Sequence, residues 1–445
     1  MMNASLQKLS KNIEWEYSEK QVSAWGGMRL MKELITNSKI MEEFSKLPLQ
    51  VPGSNSGYSP IQIIECFFVS VWLGALKYTH AAMLKFDEVL KEIFNWKRYP
   101  SASTFSRFFR KFTQKLIYEI LVPINKWFFS QISIENLTLD IDSSVITRYG
   151  KQEGAKIGYN PNKRGRASHH PIIAFVAEMR MVANAWLRPG NTQALSNAYN
   201  FLLETLDILE GKKIGLLRAD SGFFGGKFFE YLENKIINYI IACRLTPLLK
   251  LEISKIKNWL NVDDGIEIAE IKYQSSKWDK ERRMIVIRQS VLVRPKAIGK
   301  MLNLFGDDEI YKDYRYQCLI TNLDIAPYQV WFLYRQRADS ENRIKELKYD
   351  FAFNGFCSKS FYATDSAFRF TMIAYNLMSL FRQVILKQKV QHTLSTLRFK
   401  CFAIGSWIVK KGRKKVLKLA VVDKRRQWLD GLFARAIDLS PPFAF

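Results

Sequence analysis

"IENLTLDIDSSVITRYG", residues 134–150, is where the hydrophobic period of the chain changes from helical to alternating. Leu137, Leu139 and Ile141 fall on one face of an extended segment, and Thr138, Asp140 and Asp142 on the other. That is the two-residue period of a half-buried strand. Two carboxylates on one strand face repel each other unless water or a cation holds them. Asp142 closes the apolar run, and Ser143 and Ser144 follow it.

Working outward, "HPIIAFVAEMRMVANAWLRPGN" reads as two more strands and "AYNFLLETLDIL" as a helix. "KIGLLRAD" is a short apolar strand ending on Asp220, "GGKFFEYLENK" a helix and "INYIIACRL" a further strand. Three strands, helix, strand, helix, strand is a mixed α/β order. Residues 246–325 interrupt it with β-type pieces, "GIEIAEIKY", "RRMIVIRQSVLV" and "YRYQCLITNL", far more chain than a simple βαβ crossover of ~30 residues in all requires. Helical patterning resumes at 326–385. Residues 1–130 are helical in pattern, divided by the Pro/Gly/Ser-rich "LPLQVPGSNSGYSP". In "YPSASTFSRFFRKF", Ser103 is a candidate N-cap for a helix carrying Arg107 and Arg110 among Phe residues. Two readings stand for it: a basic helix entering a DNA groove, or a packing helix with a solvated basic side. Residues 386–445 are basic, with thirteen Lys or Arg against one acid, Asp423, between Lys387 and Arg426.

The 445 residues suffice for several domains, and a hydrophobic fraction of 48% excludes a disordered chain. The net charge of +25 attracts polyanions, of which nucleic acid is the commonest in a cell, although ribosome association gives the same charge. Five scattered cysteines without a CxxC argue against a disulfide framework and a zinc site, and four histidines against a His-rich metal site. "MMNASLQKLSKNIEWEYSEK" lacks the apolar core of a signal peptide, and "IQIIECFFVSVWLGAL" is short for a bilayer crossing and carries Glu65, so a buried helix is expected. A cytoplasmic protein without membrane contact follows.

Asp142 and Asp220 end two apolar strands of one α/β unit, an oxygen-ligand pair suited to Mg²⁺ or Mn²⁺. Ordinary turn chemistry is the competing reading, since Asp before Ser-Gly is a common turn former. A third acid comes from "YRQRADSENRIKELKYDF", residues 334–351. At about 100° per residue from Tyr334, Arg337 lies near 300°, Glu341 near 340° and Lys348 near 320°, one narrow arc of a continuous helix. Ile344, Leu347 and Phe351 form the adjacent apolar stripe, and Asp339 and Glu346 point to solvent.

The spacing Tyr334, two residues, Arg337, three residues, Glu341, six residues, Lys348 is similar to the Y-(2)-R-(3)-E-(6)-K signature of a group of bacterial insertion-sequence DDE transposases. "DIDSS" resembles their first-acid motif and "LRADSGF" the second, and "YGKQEGAKIGYNPNKRGRASHHPIIAF" and "LRPGNTQA" look like the strands around them. Ser144 stands where many relatives have Thr, which keeps the hydroxyl. The resemblance covers about residues 134–385.

The resemblance implies an RNase H-like catalytic core (131–245 and 326–385) interrupted by a β-rich insertion (246–325). A helical N-terminal DNA-binding domain (1–130) precedes it, and a basic C-terminal region (386–445) suited to dimerisation and DNA contact follows. It implies Asp142, Asp220 and Glu341 as the catalytic, metal-binding triad, with Asp140 the open alternative to Asp142. Two Mg²⁺ or Mn²⁺ ions per site are implied. Tyr334, Arg337 and Lys348 are expected on DNA, with Lys163, Arg164, Arg166, Arg107 and Arg110 as further DNA-binding candidates. The implied activity is cut-and-paste DNA transposition by a homodimer that pairs terminal inverted repeats and joins them to target DNA, in a bacterial nucleoid-associated protein. A metal-dependent nuclease without joining, or a non-catalytic DNA-binding regulator, are the alternatives.

Overall fold

Strand β1 (Asn136–Ser143) lies inside a nine-stranded sheet in the computed structural model, which describes residues 16–53, 57–161, 163–296, 301, 312–388 and 390–444. Most of the signal-peptide reading at the N-terminus, residues 54–56 of the Pro/Gly/Ser-rich break and Asn162 of the basic loop lie outside the described residues. Strands β2 (Ile146–Thr147), β3 (Lys156–Ile157) and β4 (Ala167–His169) form a small separate sheet. Then come β5 (Ile172–Val176), β6 (Met181–Trp186), β7 (Lys213–Ala219), β8 (Tyr239–Ala242), β9 (Leu260–Asp263), β10 (Ile266–Tyr273), β11 (Arg282–Ser290) and β12 (Tyr314–Thr321). The large sheet runs β6-β5-β1-β7-β8-β12-β11-β10-β9.

Its first half, β6-β5-β1, is antiparallel, while β7 is parallel to β1 and β8 parallel to β7. The helix Ala198–Ile208 crosses from β6 to β7, and the helix Gly226–Asn234 from β7 to β8. This is a mixed α/β fold, with three meander strands and two crossovers as the periodicity predicts. The strands of residues 246–325 continue the same sheet: β12 pairs antiparallel with β8, and β11, β10 and β9 follow outward.

The expectation that β1 is half-buried is corrected. Both of its faces are covered: Asp140 is buried as fully as its apolar neighbours, and Asp142, at the strand end, is buried slightly less. The helix Ala338–Asp350 sits on the acid face, and its Ser340 donates a hydrogen bond to Asp140. A second correction concerns that helix. A helix Pro327–Arg335 ends before it, and Gln336 and Arg337 form a turn between the two, so Tyr334 and Glu341 do not share one continuous helix.

One apolar core joins the N-terminal helices, the sheet and the long helix Phe361–Leu380. The apolar run at 61–76 contributes the buried helix Pro60–Trp72, whose Glu65 accepts from Lys32 (2.9 Å) and the Trp96 indole (2.6 Å). Among the described residues no helix is long and apolar enough to cross a membrane. The basic helix Ala102–Arg110 buries Phe105, Phe108 and Phe109. Its N-cap is Ser101, which accepts from the Thr104 amide, rather than the expected Ser103.

His169 ties the small sheet to its surroundings. Arg148 Nε donates to its Nδ1 (3.0 Å), so the proton resides on Nε2, which donates to the Glu153 carbonyl (2.9 Å). Burial drives its pKa down to about 4 from 6.5; the Glu153 bond opposes the shift and Arg148 adds to it. The native state therefore binds fewer protons than the unfolded chain between those values. Stability is complete above the unfolded value and falls as pH drops toward about 4, by on the order of 3 kcal/mol for this group. Unfolding free energy measured across that window is expected to change more steeply for wild type than for His169→Gln. Equal slopes would remove His169 from the account.

Candidate active site

The parallel register of β1 and β7 sets Ile141 opposite Ala219, so the next residues, Asp142 and Asp220, stand at neighbouring strand ends. Sites in open α/β sheets form at such carboxyl ends. Asp142 is the last carboxylate of β1 and accepts from the Ser143 amide at 2.8 Å. Asp220 is half-buried and caps the following turn, accepting from the Gly222 amide at 2.9 Å. The turn-forming reading of Asp220 is thus realised, and its place beside Asp142 is unaffected by it.

Arg337 joins the third acid to them. It is 4% exposed at the start of the helix Ala338–Asp350. Its Nη2 donates to Asp142 Oδ2 at 2.7 Å and its Nη1 to Glu341 Oε1 at 3.3 Å. Burial works against the charge of Arg337, but the charges of Asp142, Asp220 and Asp140 outweigh it and hold the guanidinium firmly protonated. Tyr334 stands beside it with its hydroxyl 3.4 Å from the Ala219 carbonyl. Burial raises the Tyr334 pKa above its ordinary value; Arg337 opposes this, while Asp220, Asp142 and Glu341 all add to it. Lys348 lies farther along the helix, half-buried, its pKa lowered by burial and partly restored by Asp142. A cleft of about 430 Å³ opens here, lined by Asp220, Tyr334, Arg337 and Glu341 together with Cys243, Cys318 and Trp331.

Asp140 has a different role. Its register partner on β7 is Arg218, which donates to both carboxylate oxygens at 2.6 and 2.8 Å, both side chains being almost fully buried. Arg218 also donates to the Leu333 carbonyl at 2.6 Å, so the pair pins the turn between the two helices onto the sheet. Arg218 and Ser340 carry no signal in the sequence, because only the strand register and helix placement bring them to Asp140.

Glu346 does not point to solvent. It is 7% exposed, paired with Arg382, and accepts from the Leu394 amide at 3.0 Å. The chain beyond residue 380 covers this side of the helix. Asp339 is part-exposed as expected and pairs with Arg343. Lys163, Arg164 and Arg166 are exposed in the loop between β3 and β4, with Lys163 Nζ 2.6 Å from the Tyr149 hydroxyl. Arg107 and Arg110 are exposed on the last turn of the helix Ala102–Arg110. These five sit on other elements than the strands and helix that carry the acids.

Carboxylate oxygens are the donors that hard divalent cations take, so Asp142, Asp220 and Glu341 fit Mg²⁺ or Mn²⁺ in kind. Asp142 and Glu341 already converge on one cation, the Arg337 guanidinium. Among the described residues, no three His, Cys, Asp or Glu side chains stand close enough to enclose an ion. The Arg337 guanidinium occupies the space between two of the acids.

Residues 6–439 match a protein family described as "Transposase DDE domain group 1". No curated protein matches the chain. Among solved structures, the piggyBac transposase in its synaptic complex with hairpin DNA is similar at 14% identity and a TM-score of 0.44, over 86% of this chain and 81% of that one.

Proposed function

The chain belongs to the DDE transposase family, and from that premise we propose that it is the transposase of a bacterial insertion sequence of the Y-R-E-K group. It cuts DNA at the element's terminal inverted repeats and joins the ends to target DNA. The observation that carries this reading is the single guanidinium of Arg337 shared by Asp142 and Glu341, beside Asp220 on the neighbouring strand end.

Asp142, Asp220 and Glu341 are the residues that would hold Mg²⁺ or Mn²⁺; Asp140, whose two oxygens both accept from Arg218, is the alternative to Asp142. What two bound ions supply is activation of a water or 3′-hydroxyl nucleophile and stabilisation of the leaving oxygen at phosphorus. Arg337 and Lys348 carry the positive charge that holds the phosphates flanking the scissile one, Arg337 exchanging carboxylate partners for phosphate as DNA enters. Tyr334, kept neutral, donates from its hydroxyl to the same backbone. No residue forms a covalent bond to DNA in this reading, which needs only the carboxylates and the cations beside them. Lys163, Arg164, Arg166, Arg107 and Arg110 supply phosphate contacts along the duplex outside the site. A homodimer pairs two ends, and the protein works in the cytoplasm on the nucleoid.

The test is incubation of the full chain with Mg²⁺, duplexes carrying the element's own ends, and a target plasmid. Joined products are expected. Cleavage without joining would reduce the reading to a nuclease, and binding without cleavage to a regulator.

A further inference from the structure

The basic C-terminal stretch contains an element that the proposed site leaves unused. Strands β13 (Ser406–Lys411) and β14 (Lys414–Leu419) form a two-stranded antiparallel ribbon outside the main sheet. Its base is fixed. Ser406 exchanges two backbone hydrogen bonds with Ser23, and Ile408, Leu417 and Leu419 pack against the core. The far end is a two-residue turn with Gly412 at φ +59°, the conformation a tight hairpin asks of its first central residue.

Residues 410–415 are all exposed, and five of the six are Lys or Arg. The register sets Lys411 directly opposite Lys414 and Lys410 opposite Lys415. Like charges directly opposed on a ribbon destabilise it. Among the described residues one acid offsets them, Glu92, at 2.6 Å from Lys415. The fold gains nothing from this arrangement, and a polyanion relieves it. Opposed residues share a face, so Lys411 and Lys414 occupy one face of the tip, and Lys410 and Lys415 the other. Cations on both faces suit a slot between two phosphate backbones, where a flat anionic surface would engage one face only. No aromatic side chain lies between residues 408 and 419, so the tip has no platform for stacking unpaired bases. The major groove of duplex DNA admits a two-stranded ribbon.

We propose that the β13–β14 ribbon enters a groove of duplex DNA and grips both flanking backbones through Lys410, Lys411, Arg413 and Lys414, independently of sequence. The inference rests on the DNA reading above and adds to it the surface that holds DNA lacking the element's ends.

The test measures binding of the full chain to a duplex without element ends, by fluorescence anisotropy over a series of salt concentrations. With all four residues changed to Gln, the slope of log affinity against log salt is expected to flatten by about three to four, at ~0.9 for each phosphate no longer neutralised. Removal of opposed charges leaves the melting temperature unchanged or higher, which separates weaker phosphate binding from a failure to fold. Glu92→Gln, which frees Lys415, is expected to tighten binding, a gain that misfolding does not mimic. An unchanged slope in the fourfold variant, or its equal loss of binding to anionic vesicles, overturns the ribbon assignment while leaving end joining intact. Failure of the wild-type chain to bind any duplex overturns the transposase reading with it.

Discussion

Glu341→Gln is expected to reduce cleavage and joining of end-bearing DNA by about a thousandfold or more, with duplex binding retained. A Gln carbonyl oxygen still accepts from Arg337 Nη1, which lies 3.3 Å from Glu341 Oε1, so the local packing has little reason to change. What disappears is the negative charge that a divalent ion takes as ligand, and each 1.36 kcal/mol of lost transition-state stabilisation is about tenfold in rate. Asp142→Asn and Asp220→Asn belong to the same class. Asp339→Asn, two residues from Glu341 on the same helix, is the control and should retain wild-type rates, because its carboxylate faces Arg343 on the part-exposed side. Single-turnover cleavage of a labelled end duplex reads all four. Comparable rates for Glu341→Gln and Asp339→Asn would remove Glu341 from the site.

Asp140→Ala should cost about 3–5 kcal/mol of stability, the typical result of stranding one half of a buried ion pair. Arg218 would keep its charge at 2% side-chain exposure with only the Leu333 carbonyl still accepting from it, and Ser340 would lose its acceptor. Because this pair clamps the helix-connecting turn, the loss reaches the position of Arg337. The double variant Asp140→Leu, Arg218→Met removes both charges and should recover much of the loss. Urea denaturation midpoints separate the outcomes. A loss below about 1 kcal/mol for Asp140→Ala would mean that water reaches Arg218 and that the clamp is weak.

Much of this architecture could be read from the chain alone, since period and strand-end acids are local properties. Leu137, Leu139 and Ile141 mark β1 by alternation, and the two helical crossovers follow from the patterns at 198–208 and 226–234. The spacing of the helix segment groups Glu341 with Arg337, but only the family resemblance joins Glu341 to Asp142; in the structure the two acids meet through Arg337. What could not be read depends on what covers each surface. A helical wheel orients Glu346 relative to its own helix but says nothing of Arg382, thirty-six residues later, which buries it. The same wheel assumes an unbroken helix, and the turn at Gln336 and Arg337 violates that. Arg337 reads as a phosphate contact from spacing, whereas its resting partners are carboxylates. The β13–β14 ribbon is hidden because lysine-rich segments have low strand propensity, and its pairing depends on an anchor near the other end of the chain, at Ser23.

The unbroken hydrogen bonding of the large sheet has a mechanical consequence. From β1, which carries Asp142, to the outer strand β9 there are six strand-to-strand steps, through β7, β8, β12, β11 and β10. At ~4.8 Å per step this spans about 29 Å. A hinged accessory module would let a gripped ligand wander relative to the acids. A sheet shared by both behaves as a stiff beam, so whatever seats against β9 and β10 is held at a constant offset from the strand ends of β1 and β7. The molecule thereby carries a built-in ruler, with its zero mark at Asp142 and Asp220.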